Sequence, residues 1–262
     1  MEENIIFALF LTFFAGFATV IGSIFAFFSK NNNQKFLSFS LGFSAGVMIY
    51  VSMVEIFSKS REYLSLATDI YKGTIITVIS FFAGMFFIGI IDILIPTPEV
   101  ETGSETKGRQ SKNRLKRTGI ITALAIGIHN FPEGLATFTS ALKDPHIGIA
   151  ISTAIAIHNI PEGIATSIPI YYSTKSRKKA FIISFLSGMT EPLGALIGYI
   201  LLRPIFNDTL FGIIFGFVAG IMVFISIEEL LPLSREYENS NVSIIGVIMG
   251  MLTMAVSLIL FM

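Results

Sequence analysis

The string IGIHNFPEG begins at Ile126, and IAIHNIPEG begins twenty-nine residues later at Ile155. On a helix His129 and Glu133 share a face as i and i+4, and so do His158 and Glu162. Each copy therefore presents an imidazole and a carboxylate together, with an amide oxygen, from Asn130 or Asn159, beside the histidine. Pro132 and Pro161 remove an amide donor and push away the carbonyls of Ile128 and Ile157 four residues earlier. Gly134 and Gly163 loosen the same turn and admit a close neighbour. Imidazole with carboxylate suits zinc and other divalent first-row metals, while the oxygens alone accept Fe²⁺ or Mn²⁺. The chain has no cysteine, so no thiolate holds a metal tightly. Such a donor set fits an ion that is bound and then released. If the two helices run antiparallel, Glu133 falls level with His158, and His129 with Glu162. That gives two neighbouring cation positions about one turn, roughly 5–6 Å, apart.

Hydropathy dictates which elements carry these residues. Of 262 residues 53% are hydrophobic and only 14% charged, with a mean hydropathy of +0.75. That leaves too little polar surface for a soluble domain of this size. The apolar residues fall in eight blocks, at about 5–28, 36–58, 73–95, 118–142, 147–171, 179–202, 210–233 and 242–262. Each is close to the roughly 20 residues that span a bilayer as helix. The expected fold is an all-α integral membrane protein of eight transmembrane helices, forming one transmembrane domain over residues 1–262. The acidic MEEN before the first block, and the length of that block, argue against a removable signal peptide. A formal net charge of zero argues against nucleic acid as a partner. Loops 1–2, 3–4, 5–6 and 7–8 hold 13 of the 18 lysines and arginines, which makes those loops cytoplasmic and both termini extracytoplasmic. The longest connection, 96–117, is polar and of mixed charge, and reads as a mobile cytoplasmic loop between spans 3 and 4.

The chain also repeats itself. Residues 125–137 match 154–166 at 10 of 13 positions, and residues 43–63 match 217–237 at 10 of 21. A weaker echo relates FFAGFATVIG (13–22) to FLSGMTEPLG (185–194). With the orientation above, each span and its match run in opposite directions. The expected pattern is an inverted 3+2+3 repeat, spans 1–3 with 6–8 and span 4 with 5. Repeats of that kind mark transporters whose site lies near the membrane midplane.

A carboxylate at mid-span costs roughly 3 kcal/mol or more unless it meets a partner or water. Glu133 and Glu162 sit at that depth, as does Glu191 in MTEPLG of span 6, and no lysine or arginine lies inside these spans. A bound cation is the natural partner, and a proton is the other. Glu55, near the outer end of span 2, and its repeat partner Glu229, near the inner end of span 7, are candidates for the entrance and exit of cations. Snorkelling or capping at the interface accounts for both equally well. Asp92 and Glu228 read as interfacial, and the third histidine, His146, falls in the short outer loop after span 4.

The paired HN-x-PEG strings, the eight blocks and the Glu-Pro of span 6 resemble the ZIP family of metal transporters, nearest its bacterial ZupT-type members. The likeness covers essentially the whole chain. It implies import of Zn²⁺ into the cytoplasm across the plasma membrane (the bacterial inner membrane), with Fe²⁺ and also Mn²⁺, Co²⁺ or Cd²⁺ as further substrates. No prosthetic group is implied. It implies a binuclear centre, one position held by His129, Glu133, His158 and Glu162. The other would use Asn130, Glu133, Asn159, Glu162 and Glu191, with Glu133 and Glu162 bridging. It further implies a bundle of spans 1, 4, 5 and 6 moving against the others, in a homodimer. The His-rich stretch that many members carry after span 3 is missing here.

Two other classes compete. A zinc-dependent intramembrane hydrolase would show His-Glu-xx-His, with the glutamate as base; here the order is His-Asn-x-Pro-Glu. A proton- or sodium-coupled carrier of an organic solute would use Glu133, Glu162 and Glu191 as relay groups, but it leaves the matched histidines and asparagines without a task.

Overall fold

Away from water every backbone amide must bond within the chain, and apolar runs this long meet that demand as helices. A computed structural model describes residues 2–28, 33–94, 104–143, 145–202, 207–237 and 240–260. The described residues are helical almost throughout. They form α1 (Glu2–Phe28), α2 (Gln34–Tyr50), α3 (Phe57–Ala67), α4 (Ile70–Leu94), α5 (Ser104–Lys143) and α6 (Pro145–Thr174). There follow α7 (Arg177–Gly188), α8 (Thr190–Ile197), α9 (Asp208–Ile225), α10 (Leu231–Tyr237) and α11 (Ser240–Leu260). Wide π-helical turns at Val51–Ile56 and Ser226–Leu230 join α2 to α3 and α9 to α10, so each pair runs on as one rod. A third follows α8 at Gly198–Leu202.

Among the described residues, six stretches are long and apolar enough to cross a membrane: Ile5–Ile24, Gln34–Ala67, Ile70–Leu94, Arg177–Ile200, Asp208–Tyr237 and Asn241–Leu260. The motif helices α5 and α6 are not among the six, although eight spans are expected. In α5 the histidine, asparagine, proline and glutamate at mid-helix pull down the mean hydropathy. The polar stretch 96–117 also departs from expectation. From Ser104 onward it is not a loop but the first turns of α5. Its lysines, arginines, glutamine and glutamate are good helix formers, and a helix leaving the apolar layer continues readily through them. The rest of that stretch lies outside the described residues.

α1 packs along α6, α2 along α11, α4 along α9, and α5 along both α6 and α8. The α4 and α11 spans are only 28% buried, against 67% for the α2–α3 rod and 61% for the α9–α10 rod, so α4 and α11 form the apolar outside. Asp69 starts α4 by accepting the N–H groups of Tyr71 and Lys72 at 3.1 and 2.9 Å. Those bonds, that of Lys72 foremost, hold its carboxyl below the ordinary value.

Helices come close where glycine removes the side chain. A Cβ on Gly134 would overlap the carbonyl oxygen of Glu191, and one on Gly163 the carbonyl oxygen of Thr19. Gly194 meets the carbonyl of Phe131, and Gly22 that of Ile160. These four seats clamp both HN-x-PEG turns against α1 and α8, which fixes the depth at which their polar side chains face one another.

Candidate metal centre

The two motif turns face each other across the α5–α6 contact. His129 Nε2 lies 3.2 Å from Glu133 Oε1 one turn on, and 3.6 Å from Glu162 Oε1 on α6. His158 Nε2 lies 3.4 Å from the same Glu133 oxygen. The level pairing expected of antiparallel helices is therefore present: Glu133 meets His158, and Glu162 meets His129. The two imidazole rings stand 6.4 Å apart, centre to centre. Ligand atoms of His129, Glu133 and His158 all fall within 4.8 Å of one another. Donors around a tetrahedral zinc are separated by about 3.3 Å, so a modest contraction would close this group on an ion.

The asparagines and Glu191 complete the wall. Asn159 donates its amide to Glu191 Oε2 at 2.8 Å and to the carbonyl of Ala15 at 3.0 Å. Asn130 donates to the carbonyl of Ser187 at 3.4 Å. Asn130 thus gives its amide nitrogen to neighbouring backbone, Asn159 gives its own to backbone and to Glu191, and both amide oxygens are without a partner. Glu191 belongs to the first turn of α8, just past the break at Met189 between α7 and α8. Ser44 Oγ donates to the carbonyl of Pro161 at 3.0 Å, tying the second motif turn to α2.

All seven of these residues are buried, none more than 6% exposed. Their polar atoms are nevertheless poorly satisfied. Both oxygens of Glu162, one of Glu191, both asparagine oxygens and three of the four histidine ring nitrogens lack a hydrogen bond. Buried acceptors at this density are costly, and native proteins avoid them unless something else binds there. Imidazole nitrogens, carboxylates and amide oxygens in this mixture fit a divalent first-row cation better than any neutral partner.

The other predicted positions lie apart. His146 is exposed in the first turn of α6, twelve residues or about 18 Å of helix from His158. Glu55 sits on the first π-helical turn and pairs with Lys59 at 2.7 Å. Glu229 sits on the second and accepts from Arg117 at 2.6 Å and from the Thr118 hydroxyl at 2.5 Å. Arg117 also donates to Asp92, to the carboxylate at 2.5 Å and to the backbone carbonyl at 2.8 Å. Sequence reasoning missed this cluster, because Arg117 counted only as one of six basic residues setting the orientation. The available signal was an arginine at the very edge of an apolar block, with two acidic residues at the edges of others.

The profile of the ZIP zinc transporter family matches residues 96–258 of the chain, which include both motifs. A protein of Chlorobium chlorochromatii named zinc transporter ZupT is 57% identical over 267 residues, covering all of both chains. Proteins of the same name from Chlorobaculum parvum and Streptococcus mutans are each 56% identical, again over the full length of both. That family consists of transporters and not of enzymes, which removes the hydrolase reading. A helical membrane protein with this central donor set and these full-length relatives belongs to the ZIP zinc transporter family.

Proposed function

We propose that the chain imports divalent metal ions, zinc foremost, across the plasma membrane through the centre on α5, α6 and α8. The observation that carries this is the ring of buried acceptors without hydrogen-bond partners on His129, Asn130, His158, Asn159, Glu162 and Glu191. An ion there replaces the water it left with imidazole and oxygen donors. In this reading one position is held by His129, Glu133, His158 and Glu162. The second is held by Asn130, Glu133, Asn159, Glu162 and Glu191, with the two glutamates of the motifs shared. Fe²⁺, and Mn²⁺, Co²⁺ or Cd²⁺ after it, fit the same donors.

The reading includes eight spans, α5 and α6 being the two with polar centres, with both termini extracytoplasmic and 1–262 a single domain. It also includes the inverted 3+2+3 repeat. In its support, the glycine seats come in matched sets: Gly134 with Gly163, Gly22 with Gly194, and Gly16 and Gly188 each against the other's carbonyl. The π-helical turns at Val51–Ile56 and Ser226–Leu230 also fall at corresponding places in the 43–63 and 217–237 repeat. Motion of the α1, α5, α6 and α7–α8 group against the other rods, in a homodimer, completes the proposal.

Uptake of ⁶⁵Zn into proteoliposomes tests it. Glu162→Ala is expected to abolish uptake, because it removes a shared ligand, and Glu191→Ala to change the preference among metals. Folded wild-type protein that takes up no divalent metal would overturn the reading and favour the organic-solute carrier.

A further inference from the structure

Arg117 is held by more hydrogen bonds than its place at the start of an apolar block requires. One guanidinium nitrogen serves Glu229 on the α9–α10 rod, and the other serves both the carboxylate and the backbone carbonyl of Asp92, in the last turn of α4. Thr118, the next residue, takes the second oxygen of Glu229. Four bonds from two adjacent residues of α5 thus converge on two other elements. Arg117 and Glu229 are nearly buried, with side chains 12% and 6% exposed. A planar fork that serves two acceptors at once is arginine's geometry and not lysine's.

A stripe on α5 links this cluster to the centre. Thr118, Thr122, Ala125 or Ile126, and His129 follow one another at helical spacing, about 16 Å from end to end. Thr118 and Thr122 are fully buried, and the hydroxyl of Thr122 has no hydrogen-bond partner. An ion that leaves His129 along this face therefore meets Thr122, then Thr118, then Glu229 with Arg117 already on it.

We propose that Arg117 is a latch: its guanidinium holds α5 to α4 and to the α9–α10 rod, and so closes the end of the path opposite Glu55. The inference rests on the transport reading. In it Arg117 is a positioning residue and does not bind the metal. Its ion pairs join helices that transport requires to separate, whereas a merely structural ion pair has no reason to lie across that boundary. For the ion to leave, the fork must let go of Glu229 and Asp92.

The natural chain has no cysteine, so Thr122→Cys supplies a single thiol. A membrane-impermeant thiol reagent is applied to proteoliposomes from one face at a time, without metal. Labelling from the Arg117 face is expected to be slow, to rise about tenfold or more with Arg117→Gln, and to rise less with Arg117→Lys, which keeps the charge but loses the fork. Glu229→Gln combined with Asp92→Asn should act like Arg117→Gln, and Arg114→Gln, which removes the outlying pair with Glu236, should change nothing. Rates within about twofold of the parent in Arg117→Gln, or an equal rise from both faces as expected of general loosening, overturn the latch. Labelling needs no transport. Flat labelling beside normal zinc uptake sinks the latch alone, whereas absent wild-type uptake sinks the transport reading and the latch with it.

Discussion

Glu55 and Glu229 occupy the same place in two related stretches of sequence, each on a π-helical turn within a long rod. Their partners differ in kind. Glu55 is paired with Lys59, one turn along its own helix, and the lysine side chain is 46% exposed. Glu229 is paired with Arg117 from another helix, in a contact that excludes most water. A local pair whose lysine reaches water costs little to break and leaves its carboxylate free to be shared with an arriving cation. The inter-helix pair ties one element to two others, so breaking it is a structural event. The same residue type in the same register thus gives an open-handed carboxylate at one end and a fastened one at the other.

Three substitutions bear on that contrast, in decreasing order of expected effect. Glu229→Ala leaves a nearly buried guanidinium with only Asp92, and should lower stability by about 2–3 kcal/mol, read as a fall in melting temperature in detergent. A loss no larger than that of Glu55→Ala would erase the difference between the ends. Glu55→Ala should cost no more than about 0.5 kcal/mol. It should nevertheless raise the KM for zinc severalfold at constant maximal rate, because the carboxylate concentrates cations at the mouth. Equal changes in both kinetic constants would place Glu55 in the ion's passage through the protein instead. Lys59→Ala should have the smallest effect, lowering KM by about twofold at low ionic strength and fading as salt is added. A rise in KM would show that Lys59 positions Glu55 and does not compete for it.

Much of the centre was legible in the sequence, because its logic is local. Helical spacing puts His129 with Glu133 and His158 with Glu162, and the antiparallel arrangement, once assumed, gives the cross-pairs found at 3.4 and 3.6 Å. Glu191 was legible from depth and its following proline. The hydrogen bonds that hold the two asparagine side chains were not, since they go to the carbonyls of Ala15 and Ser187 on other helices. Most helix boundaries also follow hydropathy to within a few residues. The clear departure is 104–117, whose polarity reads as a loop although most of its residues are helix formers. The π-helical turns were invisible, because an extra residue in a turn leaves no mark on hydropathy. The role of Arg117 needed three elements brought together from residues 92, 117 and 229, and no pattern of spacing reports that.

The three carboxylates of the centre have one more consequence. No lysine or arginine stands within 118–142, 145–174 or 180–202 to offset them. Fully ionised, the proposed centre would carry a formal charge of −3 without metal, −1 with one divalent ion and +1 with two. Divalent ions change this total only in steps of two, so without a proton it never reaches neutrality. An odd charge anywhere inside a bilayer feels the membrane voltage, by about 2.3 kcal/mol per unit charge for each 100 mV crossed. Each bound divalent ion carries two charges to that depth, so the balance between empty, singly and doubly occupied forms of the proposed centre should tilt with membrane potential, in the same sense at both steps.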